Sequence, residues 1–134
     1  MSGETSLSTM LASLSPQLNP GEYVFCCVAA DSLPNASAIA SFREQEGLTL
    51  ILPRAEAERL QLSYDYVAAW ISLTVHSSLS ALGLTAAFAG ALAKAGISCN
   101  VLAAYYHDHL FVAQADAAQA MQVLQQLALR QHEG

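Results

Sequence analysis

Tyr66-Val67-Ala68-Ala69-Trp70-Ile71-Ser72-Leu73-Thr74-Val75 is the stretch that decides the fold. Read with a period of two, it puts Val67, Ala69, Ile71, Leu73 and Val75 on one face and Tyr66, Ala68, Trp70, Ser72 and Thr74 on the other. The first face is apolar and rich in β-branched residues, so the segment reads as a strand with one face in a core. Downstream, a polar break at His76-Ser77-Ser78 leads into an Ala-rich helix ending at Gly96, with an expected stripe of Leu82, Ala86, Ala89 and Ala93 flanked by Phe88 and Leu92. Small residues on that stripe would let the helix lie close to a sheet. Ser98 to Tyr106 and Leu110 to Ala113 read as a hairpin turning near His107-Asp108-His109. Asp116 then caps a last helix carrying Ala117, Ala120, Met121, Leu124, Leu127 and Leu129 at helical spacing.

Upstream, Leu7, Met10, Leu11 and Leu14 predict a helix over residues 5–14, stopped by Pro16, and Asn19-Pro20-Gly21 reads as a turn. Tyr23 to Ala29 is continuously apolar and reads as a buried strand. Ile39 to Glu44 and Leu48 to Leu52 form a hairpin with Gly47 near its turn, and Arg54 to Leu60 a short helix after Pro53. From Tyr66 the order is strand, helix, strand, strand, helix, which is the ferredoxin-like β-α-β-β-α-β unit without its closing strand. Two complete units need eight strands, and six are legible. A strand shared or exchanged between halves closes both sheets most simply.

Composition limits the function. The 134 residues are 54% hydrophobic and 12% charged, enough apolar matter for one sizeable core and few charges to cover it, which favours self-association. Five Lys and Arg against eleven Asp and Glu give a net charge of -6, which repels nucleic acid and anionic lipid. Ala81 to Ala93 falls short of the roughly 20 apolar residues that span a bilayer, and no secretory signal is visible, so a cytoplasmic protein is expected. Cys26, Cys27 and Cys99 sit in apolar strand-like runs without metal or disulfide spacing. No cofactor motif is present.

Leu82-Gly83-Leu84-Thr85-Ala86, Leu92 and Gly96-Ile97-Ser98 resemble the ACT-domain pattern, in which Gly-Leu opens a helix and Leu-x-x-x-Gly-Ile closes it. Tyr23-Val24-Phe25, Phe42-Arg43-Glu44, Glu46-Gly47-Leu48-Thr49, Trp70-Ile71, His76-Ser77-Ser78-Leu79, Cys99-Asn100, Tyr105 to His109 and Phe111-Val112 resemble a bacterial family of stand-alone tandem ACT-like proteins. The resemblance implies an α+β, ferredoxin-like chain with two ACT-like βαββαβ-type halves, residues 1–62 and 63–134, antiparallel sheets and helices on one face. It also implies a non-catalytic sensor of a small molecule, an amino acid being the first class to consider, and a homodimer. Carried onto this chain, the ligand loop is His76 to Leu84, with His76, Ser77, Ser78, Leu82, Gly83 and Leu84, and with Asn100 on the next strand. The acidic or amide residue that often precedes the ACT glycine is replaced by Ser80-Ala81-Leu82, so Asp108 or Asn100 would have to serve in its place. Arg43 is a secondary candidate, able to pair a carboxylate bidentately.

Other readings stand beside this one. The His76-Ser77-Ser78 loop serves equally as a polar strand exit and helix cap. The chain could be a structural dimerisation or protein-interaction module with an empty loop. His107-Asp108-His109 could bind a metal or join a hydrolase triad, yet the ligand spacing is not diagnostic and no Gly-x-Ser-x-Gly elbow appears.

Overall fold

The computed structural model describes residues 7–32, 37–74 and 83–133. Its elements are α1 (Leu7–Ala12), β1 (Ser15–Leu18), β2 (Tyr23–Val28), β3 (Ala40–Arg43), β4 (Leu48–Pro53), α2 (Arg54–Arg59), β5 (Val67–Thr74), α3 (Leu84–Lys94), β6 (Cys99–Ala103), β7 (Asp108–Ala113) and α4 (Ala117–Glu133), the last entered through a 3-10 turn at Gln114–Asp116. The chain forms two compact units, one of residues 20–69 and one joining residues 1–19 to residues 70–134. The boundaries expected from the sequence, 1–62 and 63–134, follow chain order. The compact units do not, because the first 19 residues pack with the second half.

Within residues 20–69 the strands lie in the order β3-β4-β2, followed by the first residues of β5. β2 is antiparallel to β4, from Tyr23 opposite Pro53 to Val28 opposite Leu48, and Tyr23 and Val24 face Ala68 and Val67 of β5. Val24, Cys26, Leu50, Leu52 and Ala57 of α2 form the core. The β3–β4 hairpin turns where expected, with Glu44 and Gly47 exchanging backbone hydrogen bonds at 2.9 and 3.3 Å. Gly47 is required by close approach: a Cβ there would stand 2.5 Å from the Val28 carbonyl oxygen and 2.9 Å from Cys27 Sγ.

In the other unit the order is β1-β5-β7-β6. β1 runs antiparallel to β5, Ser15 opposite Thr74 and Leu18 opposite Ile71, and so supplies the closing strand that the C-terminal half lacks in sequence. β5 thus pairs twice along its length, with β2 through Val67 and Ala68 and with β1 through Ile71 to Thr74. Ile71 and Leu73 of β5, Leu110 and Val112 of β7, Phe88 and Leu92 of α3, Leu124 of α4 and Met10 of α1 are fully buried. Each such side chain contributes roughly 1.5–3 kcal/mol of transfer free energy.

Three details differ from the sequence reading. The buried stripe of α3 is Leu84, Phe88 and Leu92, one residue every four, while Ala86 and Ala93 are exposed: the larger side chains claim the core. The β6–β7 hairpin turns at Tyr105 and Tyr106, each 79% exposed, with Ala104 N–H donating to the His107 carbonyl at 3.0 Å. Asp108 and His109 are therefore strand residues. On α4, Leu129 is exposed and Ala128 takes the inward position. Gly96, at φ +80°, ends α3 as expected: Ile97 N–H bonds the Leu92 carbonyl and Gly96 N–H that of Ala93, each at 2.9 Å, leaving few carbonyls of the last turn unsatisfied.

Candidate functional site

α3 begins at Gly83, whose φ of +84° and ψ of -11° place it in the left-handed region, where a side chain is disfavoured. Space is not the constraint, since a Cβ would meet Leu7 Cδ2 only at 3.5 Å. Gly83 is exposed, its carbonyl accepts the first helical hydrogen bond from Ala87 N–H at 2.9 Å, and no side chain of the described residues caps the helix there. The first turn of α3 thus presents backbone N–H groups at the positive end of a helix dipole. Leu84 is buried and anchors that turn in the core. His76, Ser77, Ser78 and Leu82 lie outside the described residues.

Asn100 stands elsewhere. It is exposed on β6, opposite Phe111 of β7, and follows the far end of α3. Eleven residues of helix separate Gly83 from that end, about 16 Å at ~1.5 Å per residue, so one chain does not bring the two together. Arg43 lies exposed at the end of β3, in the unit of residues 20–69. Asp108 opens β7 opposite Ala103, and burial pushes its carboxyl above the usual range, against an opposing effect of His109.

The face of β5 expected to lie away from the core carries a polar network that the sequence did not single out. Trp70 Nε1–H donates to His109 Nδ1 at 3.0 Å, and the Ser72 hydroxyl lies 3.4 Å from the same nitrogen. Asn19 Nδ2 donates to Ser72 Oγ at 3.0 Å and to the Trp70 carbonyl at 3.2 Å. Indole has only a hydrogen to give, so His109 Nδ1 must accept and the neutral ring carries its proton on Nε2. Burial and the nearby His107 push the His109 pKa down, partly offset by Asp108. His107 Nδ1 in turn lies 3.3 Å from Thr74 Oγ1, at the end of β5 that leads toward Gly83. The period-two alternation named Trp70, Ser72 and Thr74 as partners on one face, but only strand pairing adds Asn19 and His109.

Among the described residues no three His, Cys, Asp or Glu side chains converge as a metal site. Burial raises the thiol of Cys26 and pushes that of Cys99 to about 11, so both are protonated at neutral pH. No helix of the described residues is long and apolar enough to cross a membrane.

Two ACT-domain models match consecutive parts of the chain, residues 2–69 and residues 66–126. The chain belongs to the ACT-domain family. The two ACT matches overlap at residues 66–69, at the start of the strand that both units use. ACT domains are regulatory modules that bind small ligands. Among solved structures, a Vibrio cholerae protein of unknown function, described as a possible transport protein, is 49% identical, with a TM-score of 0.83 over 91% of this chain and 95% of that one. The regulatory subunit of Thermus thermophilus aspartate kinase in its ligand-free form is 9% identical, with a TM-score of 0.59 over 86% of this ACT chain and 98% of that one. E. coli aspartokinase III in complex with aspartate and ADP is 15% identical, with a TM-score of 0.59 over 87% of this chain and 33% of that one. These two share the fold. No curated protein matches the chain in sequence.

Proposed function

We propose that this tandem ACT protein is a non-catalytic cytoplasmic sensor whose ligand, an amino acid, is held at the segment running from residue 76 to Leu84. The observation that carries this reading is Gly83: left-handed, exposed and, among the described residues, without a side-chain cap at the head of an eleven-residue helix. Bare backbone there admits a ligand, and the first-turn N–H groups favour a carboxylate. His76, Ser77, Ser78 and Leu82 are the residues preceding it, and the structural relatives include an aspartokinase bound to aspartate.

The same reading makes the protein a homodimer. β6 ends its sheet order and carries Cys99, Asn100, Val101, Leu102 and Ala103, with no charge and no proline to discourage pairing. In an antiparallel β6–β6 pair the start of one strand lies beside the end of the other. Asn100 of a second copy would then approach the end of the sheet where β5 leads to Gly83, completing a site that a single chain leaves divided.

A thermal-shift panel of amino acids and nucleotides tests the reading, because a ligand bound only by the folded state raises apparent stability. Calorimetry on a hit should show affinity lost in Gly83→Val, and Asn100→Ala should cost roughly 1–3 kcal/mol by leaving a ligand group unpaired. A panel without a hit, or both variants binding as wild type with unchanged melting, would remove the site from this loop.

A further inference from the structure

One ring nitrogen of His109 on β7 lies within reach of two side chains of β5. Trp70 Nε1–H donates to Nδ1 at 3.0 Å, and Ser72 Oγ stands 3.4 Å from the same atom. The two neighbours differ in kind, because an indole N–H gives a hydrogen and takes none, whereas a hydroxyl does either. Packing holds the rings in place. The Trp70 ring lies tilted against the imidazole, 5.7 Å between centroids, and stacks on the buried Phe111 at 6.5 Å. On the other side Asn19, the residue after β1, donates through Nδ2 to Ser72 Oγ at 3.0 Å and to the Trp70 carbonyl at 3.2 Å.

The neutral ring accepts from Trp70 and carries its own hydrogen on Nε2. A second proton therefore has to enter at Nδ1, where it meets the indole hydrogen and where Ser72 Oγ is the neighbour able to accept it. We propose that Trp70, Ser72 and His109 form a proton-operated switch: the neutral ring takes the Trp70 hydrogen bond, and the charged ring gives it up and donates from Nδ1 to Ser72 Oγ. One proton is taken from water, and the Ser72 hydroxyl turns its own hydrogen away from the ring. Ser72 Oγ then accepts from both His109 and Asn19, so the change reaches the residue that follows β1. The titratable groups around the ring are His107, 6.2 Å away between centroids, whose charge opposes that of His109, and Asp108, whose charge favours it. Trp70 and Ser72 on β5 and Leu102, opposite His109 on β6, carry no charge. Burial first, and His107 second, hold the folded pKa below 6.5, so the charged arrangement gains population as the pH falls below that value. The switch does not rest on the reading of Gly83.

The test is NMR on the full chain, following the His109 ring nitrogens as the pH is lowered. In wild type the neutral ring should carry hydrogen on Nε2 alone, and the indole Nε1–H resonance of the single tryptophan should move with the same midpoint as Nδ1. Ser72→Ala removes the acceptor of the charged ring and should lower that midpoint by about half a pH unit or more, whereas Trp70→Phe removes the donor that only the neutral ring uses and should raise it by as much. The wild-type measurements stand whether or not either variant folds. Hydrogen on Nδ1 of the neutral ring, an indole resonance indifferent to the titration, or a variant that melts like wild type with its midpoint unmoved or moved the other way would each overturn the proposal.

Discussion

Trp70 can only donate through its indole, and His109 Nδ1, at 3.0 Å, has to be the acceptor, which fixes the protonation state of a histidine through the element beside it. Protonating Nδ1 would set two N–H groups against each other, and burial disfavours the charge as well. The folded pKa therefore lies below the ordinary 6.5. The sign follows from linkage: the stabilisation is complete above 6.5, where both states are neutral, and is lost as the pH falls from there through the lower folded value. Asp108 works in the opposite direction, since its raised carboxyl contributes stability below 3.8 that is lost as the pH rises through its folded value. Melting temperature should therefore fall between about pH 7 and about pH 5, with a change in the emission of the single tryptophan over the same range. In His109→Gln that part of the fall should shrink. An identical pH profile in the variant would mean that His109 does not carry the effect.

At the scale of elements the decisive pair is α1 and β1, which lie first in the chain and serve the second half of it. Met10 at 0% and Leu11 and Leu14 at 6% exposure fill the core of the unit that contains β5, β6 and β7, and β1 covers the edge of β5. A fragment of residues 63–134 would leave that edge and the apolar groups under α1 open to water. It should fail to melt cooperatively by circular dichroism, and adding a peptide of residues 1–19 should restore the transition. A cooperative fragment that ignores the peptide would contradict this assignment. Within α3, the buried face is carried by Phe88 and Leu92, not by the alanines, so Phe88→Ala should cost about 3–5 kcal/mol in urea unfolding. Ala86→Ser, on the exposed side, should cost well under about 1 kcal/mol.

For the whole molecule the reading as a homodimer through β6 makes a direct prediction, and light scattering should give twice the mass of one chain. Val101→Lys places a charge in the middle of an otherwise uncharged edge strand and should return the protein to monomer without lowering the stability of the chain itself. A wild-type monomer independent of concentration, or an unaltered dimer in the variant, would count against β6 as the interface. The sequence by itself determined most local elements and the family: the alternation in 67–74, the Gly96 that ends α3, the Gly47 hairpin and the short α2 follow from period and turn chemistry acting over a few residues, while Gly83 as the start of α3 came from the resemblance to the ACT pattern. It did not disclose β1, because four residues that include Pro16 and are largely exposed carry neither alternation nor β-propensity, and a proline is tolerated on an edge strand. Nor did it disclose that β5 pairs with both β1 and β2, that Asn19 and His109 meet around Trp70 and Ser72, or that Arg54 is divided between Glu22 and Tyr64. Those relations join residues tens of positions apart, and their partners are chosen by which strand lies beside which, a choice made when the chain closes its sheets and buries its core.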